Sequence, residues 1–292
     1  MQMRTTQFLL AWFLVLIFVL QLMNSAIFRP FPISLIPNPL WHFLASPSVL
    51  GLLMIIWLQG ASGVRIMLHK LTPRALGRAW PMLVVCVLLP LACLPLFIAL
   101  LVVSGIPIPS LSRINLSAYF YAAFIGKGLL GPGIYEEIGW RGFALPFLQR
   151  RHSALASSLI IGLVWGLWHF PVFVNQSPFP WRYLALFILQ TIVLSVIFTW
   201  AYNTTGGSLL AVILLHGAIN ARQYLMDWHI LPDTATTQIL EGVPFLLIAI
   251  GLLGRYGPSN LSRSKRVRAP PPEESNRTAG SGRVQTQIST SN

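Results

Sequence analysis

Residues 81–103 read PMLVVCVLLPLACLPLFIALLVV, with no charged side chain at any position. A helix needs about 20 consecutive apolar residues to cross the hydrocarbon core of a bilayer. Similar apolar stretches lie on both sides of this one, so the sequence predicts an all-α, polytopic membrane protein with about eight transmembrane helices. The predicted spans are residues 7–28, 48–68, 81–103, 117–140, 153–174, 183–202, 207–226 and 239–256.

The composition of the whole chain supports a lipid environment. Of its 292 residues, 55% are hydrophobic and only 9% are charged, whereas an average soluble domain has about 25% charged residues. The net charge of +13 raises the question of nucleic-acid binding. However, the basic residues lie in short loops and a tail beside apolar runs, and no nucleic-acid-binding motif is present. We therefore expect the lipid bilayer as a partner and no nucleic acid.

Lysine and arginine are unevenly distributed between the predicted loops, and this distribution predicts the orientation in the membrane. The loops after the second and fourth spans and the C-terminal tail are rich in basic residues, which places both termini in the cytoplasm by the positive-inside rule. We expect the plasma membrane of a prokaryote. The segments rich in basic residues contain Arg65, Lys70, Arg74, Arg78, Arg150, Arg151, Arg263, Lys265, Arg266, Arg268, Arg277 and Arg283. The alternate loops contain Arg29, Arg113, Arg182 and Arg222.

The chain divides into three predicted parts. Residues 1–112 contain about three N-terminal spans, the first of which is too long for the core of a cleaved signal peptide. Residues 113–256 contain the remaining spans and all the side chains that suggest catalysis. Residues 257–292 are rich in proline, serine, arginine and glycine. Such a segment buries too little apolar surface to offset its ordering entropy, so it is predicted to be a disordered, basic cytoplasmic tail.

Two adjacent glutamates carry the strongest functional signal. The first 135 residues contain no acidic residue, and then Glu136 and Glu137 follow each other. A carboxylate inside a membrane is costly and marks a candidate functional site. Arg141 lies four residues after Glu137 and can pair with it on one helical face, whereas Glu136 points about 100° away. We therefore interpret Glu136 as a general base, with Glu137 and Arg141 in support.

The residues around this pair predict how it is placed. Gly131, Pro132 and Gly133 predict a kink just before the pair, and Pro146 predicts the end of the helix after it. Further along the chain, His169 lies near the end of the fifth span. A hairpin between the fourth and fifth spans would bring His169 to the membrane depth of Glu136.

A third pair of polar residues lies in the seventh span. His216 and Asn220 are four residues apart, so they project from one helical face and should face the protein interior. One carboxylate, one imidazole and two further hydrogen-bond donors are the groups that a hydrolase needs when its nucleophile is water. No serine or cysteine nucleophile with a base beside it stands out.

These motifs resemble those of the CPBP family of intramembrane proteases, which includes type II CAAX prenyl endopeptidases and bacterial self-immunity proteins. The family pattern is Glu-Glu-x-x-x-Arg, then Phe-x-x-x-His, then His-x-x-x-Asn or Asp, and the resemblance covers about residues 115–225. Trp165 stands where the family has phenylalanine, and we expect the same packing role for it. The matching residues are Glu136, Glu137, Arg141, Trp165, His169, His216 and Asn220.

The resemblance implies an intramembrane endopeptidase that cleaves a hydrophobic or lipidated, or a membrane-embedded, peptide. In the prenyl-processing members, the first glutamate and first histidine are thought to activate water, which corresponds to Glu136 and His169. The second histidine and the asparagine form the oxyanion hole, which corresponds to His216 and Asn220.

Three alternatives remain from the sequence. The family has been described as metal-dependent, and Glu136, His169 and His216 could supply a three-ligand zinc site. We favour no metal, because the His-Glu-x-x-His zinc signature is absent and zinc on Glu136 would leave only Glu137 as a base. Glutamate and histidine also mark ion paths, so a proton-coupled transporter is an alternative. A non-catalytic immunity protein with the same fold is another.

Overall fold

The computed structural model describes residues 2–23, 43–108, 110, 114–173, 181–225, 231 and 234–269. These residues form helices, with no strand among them. The α- and π-helices are α1 (Gln2–Met23), α2 (Pro47–Lys70), α3 (Pro81–Val103), α4 (Leu116–Tyr121), π1 (Ala122–Leu129), α5 (Pro132–Glu137), π2 (Ile138–Ala144), α6 (Leu145–Leu148), α7 (Ala154–Trp168), α8 (Phe170–Phe173), α9 (Trp181–Thr204), α10 (Leu209–Ala221) and α11 (Ala235–Asn260). Two 3₁₀ helices span Pro73–Ala79 and Arg222–Tyr224. The predictions made for Arg29, Arg113, Arg277, Arg283 and the rest of the tail after Ala269 lie outside the described residues.

The described helices have the lengths and hydropathy of membrane-spanning elements. Four of them, α2, α3, α9 and α11, are long and apolar enough to cross a bilayer. The stretch Leu10–Gln21 of α1 and the helix α7 are shorter apolar helices. The predicted all-α membrane architecture is confirmed, whereas the count of eight spans stays a prediction.

Short polar side chains set where several helices begin. Ser153 starts α7 by accepting the backbone N–H of Ala156 at 3.1 Å. Ser208 does the same for α10 through the N–H of Ala211 at 3.3 Å. Each such cap satisfies a backbone donor that has no partner within the helix and contributes about 1 kcal/mol. The starts of α7, which leads to His169, and of α10, which contains His216, are therefore encoded locally by a serine.

The predicted fourth span is a broken helix rather than a continuous one. It runs through α4 and π1, turns at Leu130 and Gly131, and resumes through α5, π2 and α6. The predicted kink before the acidic pair is therefore present. The prediction that Pro146 ends the helix is wrong, because the helical path continues to Leu148. Pro146 lies in the first turn of α6, where a missing N–H costs little.

The packing of the helices places the acidic pair inside the bundle. Helix α7 packs along α9, and α10 packs against π1, α3 and α5. Helix α2 covers π2 on another side. Glu136 and Glu137 end α5, so these neighbours remove both residues from lipid and from bulk water.

The start of the C-terminal tail is ordered, which corrects the prediction of disorder for residues 257–269. Within this segment the Val267 N–H donates to Asn203 Oδ1 at 3.1 Å. The Arg266 Nε–H donates to the backbone oxygen of Gln149 at 3.0 Å. These hydrogen bonds add to the apolar contacts of Leu261 and Ala269, which are buried in the core, and composition alone does not reveal them.

Candidate active site

A close contact between helices brings the acidic pair beside the histidine of α10. A Cβ atom at Gly133 would lie 2.7 Å from the Ile213 carbonyl oxygen and 2.8 Å from the Gly128 carbonyl oxygen. No real side chain fits such a space, so only glycine allows α5 to approach α10 this closely. Glu137 follows Gly133 by four residues, and His216 follows Ile213 by three. Both side chains therefore extend from the point of closest approach.

We expect the change Gly133→Ala to lower the stability by about 2 kcal/mol or more, because the added methyl group overlaps two backbone oxygens that cannot move independently. Thermal unfolding of the purified protein measures this. The matched control is Gly251→Ala on α11, where an added Cβ meets nothing within 4 Å. Equal unfolding temperatures for the two variants would contradict the packing argument.

Glu137 lies at the centre of a fully buried ionic cluster. Arg141 Nη1 donates to both of its carboxylate oxygens, at 3.0 and 3.1 Å, so the ion pair expected from the spacing is present. His216 Nδ1 lies 2.7 Å from Glu137 Oε1. A carboxylate paired with arginine only accepts hydrogen bonds, so His216 donates from Nδ1 and keeps Nε2 for another partner.

Glu136 has a different environment from its neighbour. It is buried, and its Oε2 accepts a hydrogen bond from the indole Nε1–H of Trp165 at 2.6 Å. The sequence interpretation gave Glu136 no partner within its own helix, and the structure supplies a neutral one from α7. No hydrogen bond from a described residue reaches its other oxygen, Oε1. One oxygen of this buried carboxylate is thus held and the other is available.

His169 lies directly after the last residue of α7, near the end of the predicted fifth span. Its Nδ1 lies 2.9 Å from the Trp165 carbonyl oxygen, which is one of the last carbonyls of a helix and has no partner within it. A carbonyl oxygen only accepts, so Nδ1 carries the proton and neutral His169 presents a lone pair at Nε2. His169 also interacts electrostatically with both Glu136 and His216.

The indole ring of Trp165 connects the parts of this site. Its centroid lies 5.5 Å from the ring of His216 and 6.3 Å from the ring of His169. The guanidinium carbon of Arg141 lies 5.0 Å from the same centroid. Six of the seven predicted side chains therefore form one connected cluster, with Trp165 in contact with four of them.

Two residues of α9 complete the surroundings of Arg141, and the sequence analysis missed both. Arg141 Nη2 donates to Ser195 Oγ at 3.3 Å, and its guanidinium carbon lies 4.4 Å from the centroid of Phe198. The sequence of α9 contains a pattern that could have revealed this polar face, since polar residues recur at every fourth position of an otherwise apolar helix. All of them are buried: Thr191, Ser195, Thr199 and Asn203.

Asn220 is the predicted residue that stays apart from the cluster. It lies one turn beyond His216 on α10 and is partly buried. In the described part of the chain, no hydrogen bond joins Asn220 to Glu136, Glu137 or either histidine. Asn220 thus shares a helix with His216 but has no hydrogen bond to the cluster, and its role stays a prediction.

The alternative zinc set of Glu136, His169 and His216 stays a prediction beside the favoured metal-free site. Among the described residues, no group of three or more His, Cys, Asp or Glu side chains could hold a metal ion. In the alternative set, Glu136 already receives an indole N–H through Oε2, and the Nδ1 atoms of His169 and His216 are both engaged. These contacts leave Glu136 Oε1 and the Nε2 atoms of both histidines for a water molecule or a metal ion, because a ligating histidine usually donates its other ring N–H to a carbonyl or carboxylate oxygen.

The comparison with known proteins agrees with the motifs. Residues 116–222 match the family described as type II CAAX prenyl endopeptidase Rce1-like. Over 134 residues the chain is 37% identical to the CAAX prenyl protease 2 of Methanococcus maripaludis, an alignment that covers 43% of this chain and 47% of that protein. The chain thus spans about half the length of this curated relative. The matched segment contains every residue of the cluster, so residues 116–222 are similar to the Rce1-like type II CAAX prenyl endopeptidases, in agreement with the resemblance to CPBP-family proteases.

Proposed function

We propose that this protein is an intramembrane endopeptidase that hydrolyses peptide bonds of a hydrophobic, lipidated or membrane-embedded peptide. The observation that carries the proposal is a buried carboxylate, Glu136, with one free oxygen, joined through Trp165 to His169, whose Nε2 is also free. A base and an imidazole that share access to one position can bind and deprotonate a water molecule. The family match of residues 116–222 supports proteolysis as the outcome.

Glu136 rather than Glu137 is the base in this proposal. The carboxylate oxygens of Glu137 already accept three hydrogen bonds, two from Arg141 and one from His216. Protonation of Glu137 would weaken this buried ion pair, so it is a poor proton acceptor. Glu136 accepts one hydrogen bond, from a neutral donor. Two adjacent carboxylates with such different partners can take different roles.

The proposed reaction starts with a water molecule that donates its hydrogen bonds to Glu136 Oε1 and His169 Nε2. Glu136 takes the proton while the water oxygen forms a bond to the carbonyl carbon of the substrate. The tetrahedral intermediate then breaks its carbon–nitrogen bond, and Glu136 returns the proton to the leaving amine. Glu136 therefore acts first as a general base and then as a general acid.

His216 and Asn220 are the proposed donors to the oxyanion of the tetrahedral intermediate. His216 gives its Nδ1–H to Glu137, so it can donate from Nε2 only when it carries a second proton. The side-chain amide of Asn220 supplies the second donor. Donors of this type typically accelerate acyl transfer by about a hundred- to a thousandfold each.

The proposed substrate and location follow from the lipid setting and from the relative. The apolar helices α2, α3, α9 and α11 place the protein in a bilayer, and we propose the plasma membrane, with both termini in the cytoplasm. The name of the Methanococcus relative describes a prenyl protease. A peptide with a lipidated C-terminus is accordingly one candidate substrate, beside unmodified hydrophobic peptides.

The test uses the purified protein in liposomes with three synthetic peptides: one with a farnesylated C-terminal cysteine, the same peptide without the lipid, and an apolar membrane-spanning peptide. Mass spectrometry detects new peptide ends, and a pH-sensitive dye inside the liposomes detects proton flux. We expect cleavage of at least one peptide without proton flux. Proton flux without cleavage would instead identify a transporter, and the absence of both would favour a non-catalytic protein.

We expect the hydrolytic activity to survive metal removal, because the proposed mechanism activates water with Glu136 and His169 alone. The measurement is the cleavage rate after dialysis against a chelator, together with the metal content of the protein by mass spectrometry. Loss of activity on dialysis, restored by one equivalent of zinc, would contradict the metal-free mechanism.

A further inference from the structure

We infer that Trp165 is a positioning residue that orients both members of the water-activating pair, Glu136 through its indole N–H and His169 through its backbone carbonyl. The inference rests on the proposed function, in which these two groups bind the same water. It differs from the packing role expected for an aromatic residue at this position.

The indole contact decides how the carboxylate of Glu136 is rotated. The final torsion of a glutamate side chain is soft and roughly two-fold, so the side chain alone does not select which oxygen faces the water. The indole Nε1–H can only donate, and it holds Oε2 at 2.6 Å. Both side chains are buried, so water competes poorly for this hydrogen bond. Oε1 is thereby left as the proton acceptor.

The carbonyl contact decides which nitrogen of His169 carries the proton. The Trp165 carbonyl oxygen accepts from Nδ1 at 2.9 Å, which makes Nε2 the free acceptor of the neutral ring. This contact belongs to the backbone and remains when the side chain of Trp165 is changed. The two functions of Trp165 can therefore be separated by experiment.

The indole itself is held in place by its neighbours. Its centroid lies 5.5 Å from the ring of His216, 5.7 Å from the ring of Phe198 and 5.0 Å from the Arg141 guanidinium carbon. Close packing on several sides prevents the ring from rotating away from Glu136. The family pattern has phenylalanine at this position, and phenylalanine cannot donate, so the contact is an addition made by this chain.

The first experiment is the change Trp165→Phe, which keeps an aromatic ring and the backbone carbonyl but removes the N–H. We expect kcat for peptide cleavage to fall by about ten- to a hundredfold, as for the loss of a hydrogen bond to a charged group, with KM within about twofold. The matched control is Trp200→Phe on α9, whose buried indole Nε1–H has no partner among the described residues. The control should keep wild-type kcat, although both changes remove the same atoms from the interior.

A second variant separates the N–H from the shape of the ring. Incorporation of 3-benzothienylalanine at position 165 replaces the N–H by sulfur in a ring of nearly the same size. We expect the same fall in kcat in a protein that still folds. If Trp165→Phe does not fold, this second variant provides the test. A wild-type kcat in either folded variant would overturn the inference.

A spectroscopic measurement tests the contact without any activity. In protein labelled with ¹⁵N-tryptophan, we expect the Trp165 indole resonance to shift in the Glu136→Gln variant and the Trp200 resonance to stay unchanged. An unchanged Trp165 resonance would overturn the inference. If the wild-type protein cleaves no peptide, the proposed function fails, and this measurement still decides whether Trp165 holds Glu136.

Discussion

Replacing Glu136 with glutamine is expected to lower the rate of peptide cleavage by about a hundred- to ten-thousandfold, which is the usual contribution of a positioned general base. Glutamine has the shape of glutamate and its amide oxygen can still accept the indole N–H of Trp165, but it cannot take a proton from water. The fold should persist, because Arg141 keeps its main partner, Glu137. The measurement is the cleavage rate in liposomes, together with the unfolding temperature.

The matched control is Glu241→Gln, the same chemical change at the other described ion pair. Glu241 Oε1 lies 2.6 Å from Arg222 Nη2, and both side chains are partly exposed. We expect the activity of this variant to stay within about twofold of the wild type. If Glu136→Gln keeps most of the activity while Glu137→Gln abolishes it without unfolding, the assignment of the base is wrong.

Replacing Arg141 with methionine is expected to destabilise the protein by about 3–5 kcal/mol, the usual cost of breaking one side of a buried ion pair. The change leaves the carboxylate of Glu137, which is 0% exposed, with His216 as its remaining partner in the cluster. It also removes the cation that packs on Phe198 at 4.4 Å. Equilibrium unfolding in mixed detergent micelles measures the free energy directly.

Two further variants test this reading of the buried pair. The double change Arg141→Met with Glu137→Gln should be less destabilising than the sum of the single changes, since no unpaired charge remains. Arg222→Met removes a partly exposed partner of Glu241 and should cost about 1 kcal/mol or less. Equal losses for Arg141→Met and Arg222→Met would show that burial does not strengthen the pair at the site.

The features that were predictable lie within single helices. The spacing of Glu137 and Arg141 predicts their pairing, because the helical period alone puts residues four apart on one face. Gly131 and Pro132 predict the break before the acidic pair for an equally local reason. His169 and Trp165 are likewise one turn apart, and the structure joins them through the carbonyl oxygen of Trp165.

The features that were missed lie between helices. The hydrogen bond from Trp165 to Glu136 joins residues 29 positions apart. The bond from His216 to Glu137 joins residues 79 positions apart. Neither follows from helical spacing, since each depends on how closely two helices approach and at what angle. The docked segment 257–269 was missed for the same reason, because its partners are distant buried amides.

The amino-acid sequence by itself determines the helical membrane architecture, because only helices satisfy every backbone group of such apolar stretches inside lipid. It also determines the residue types of the site and the pairing of Glu137 with Arg141 on one helix. The tertiary structure alone decides which carboxylate oxygen stays free and which nitrogen of each histidine faces outward. These choices are made by donors and acceptors on α7 and α10. His216 of α10 reaches Glu137 because glycine at position 133 lets α5 and α10 come into direct contact.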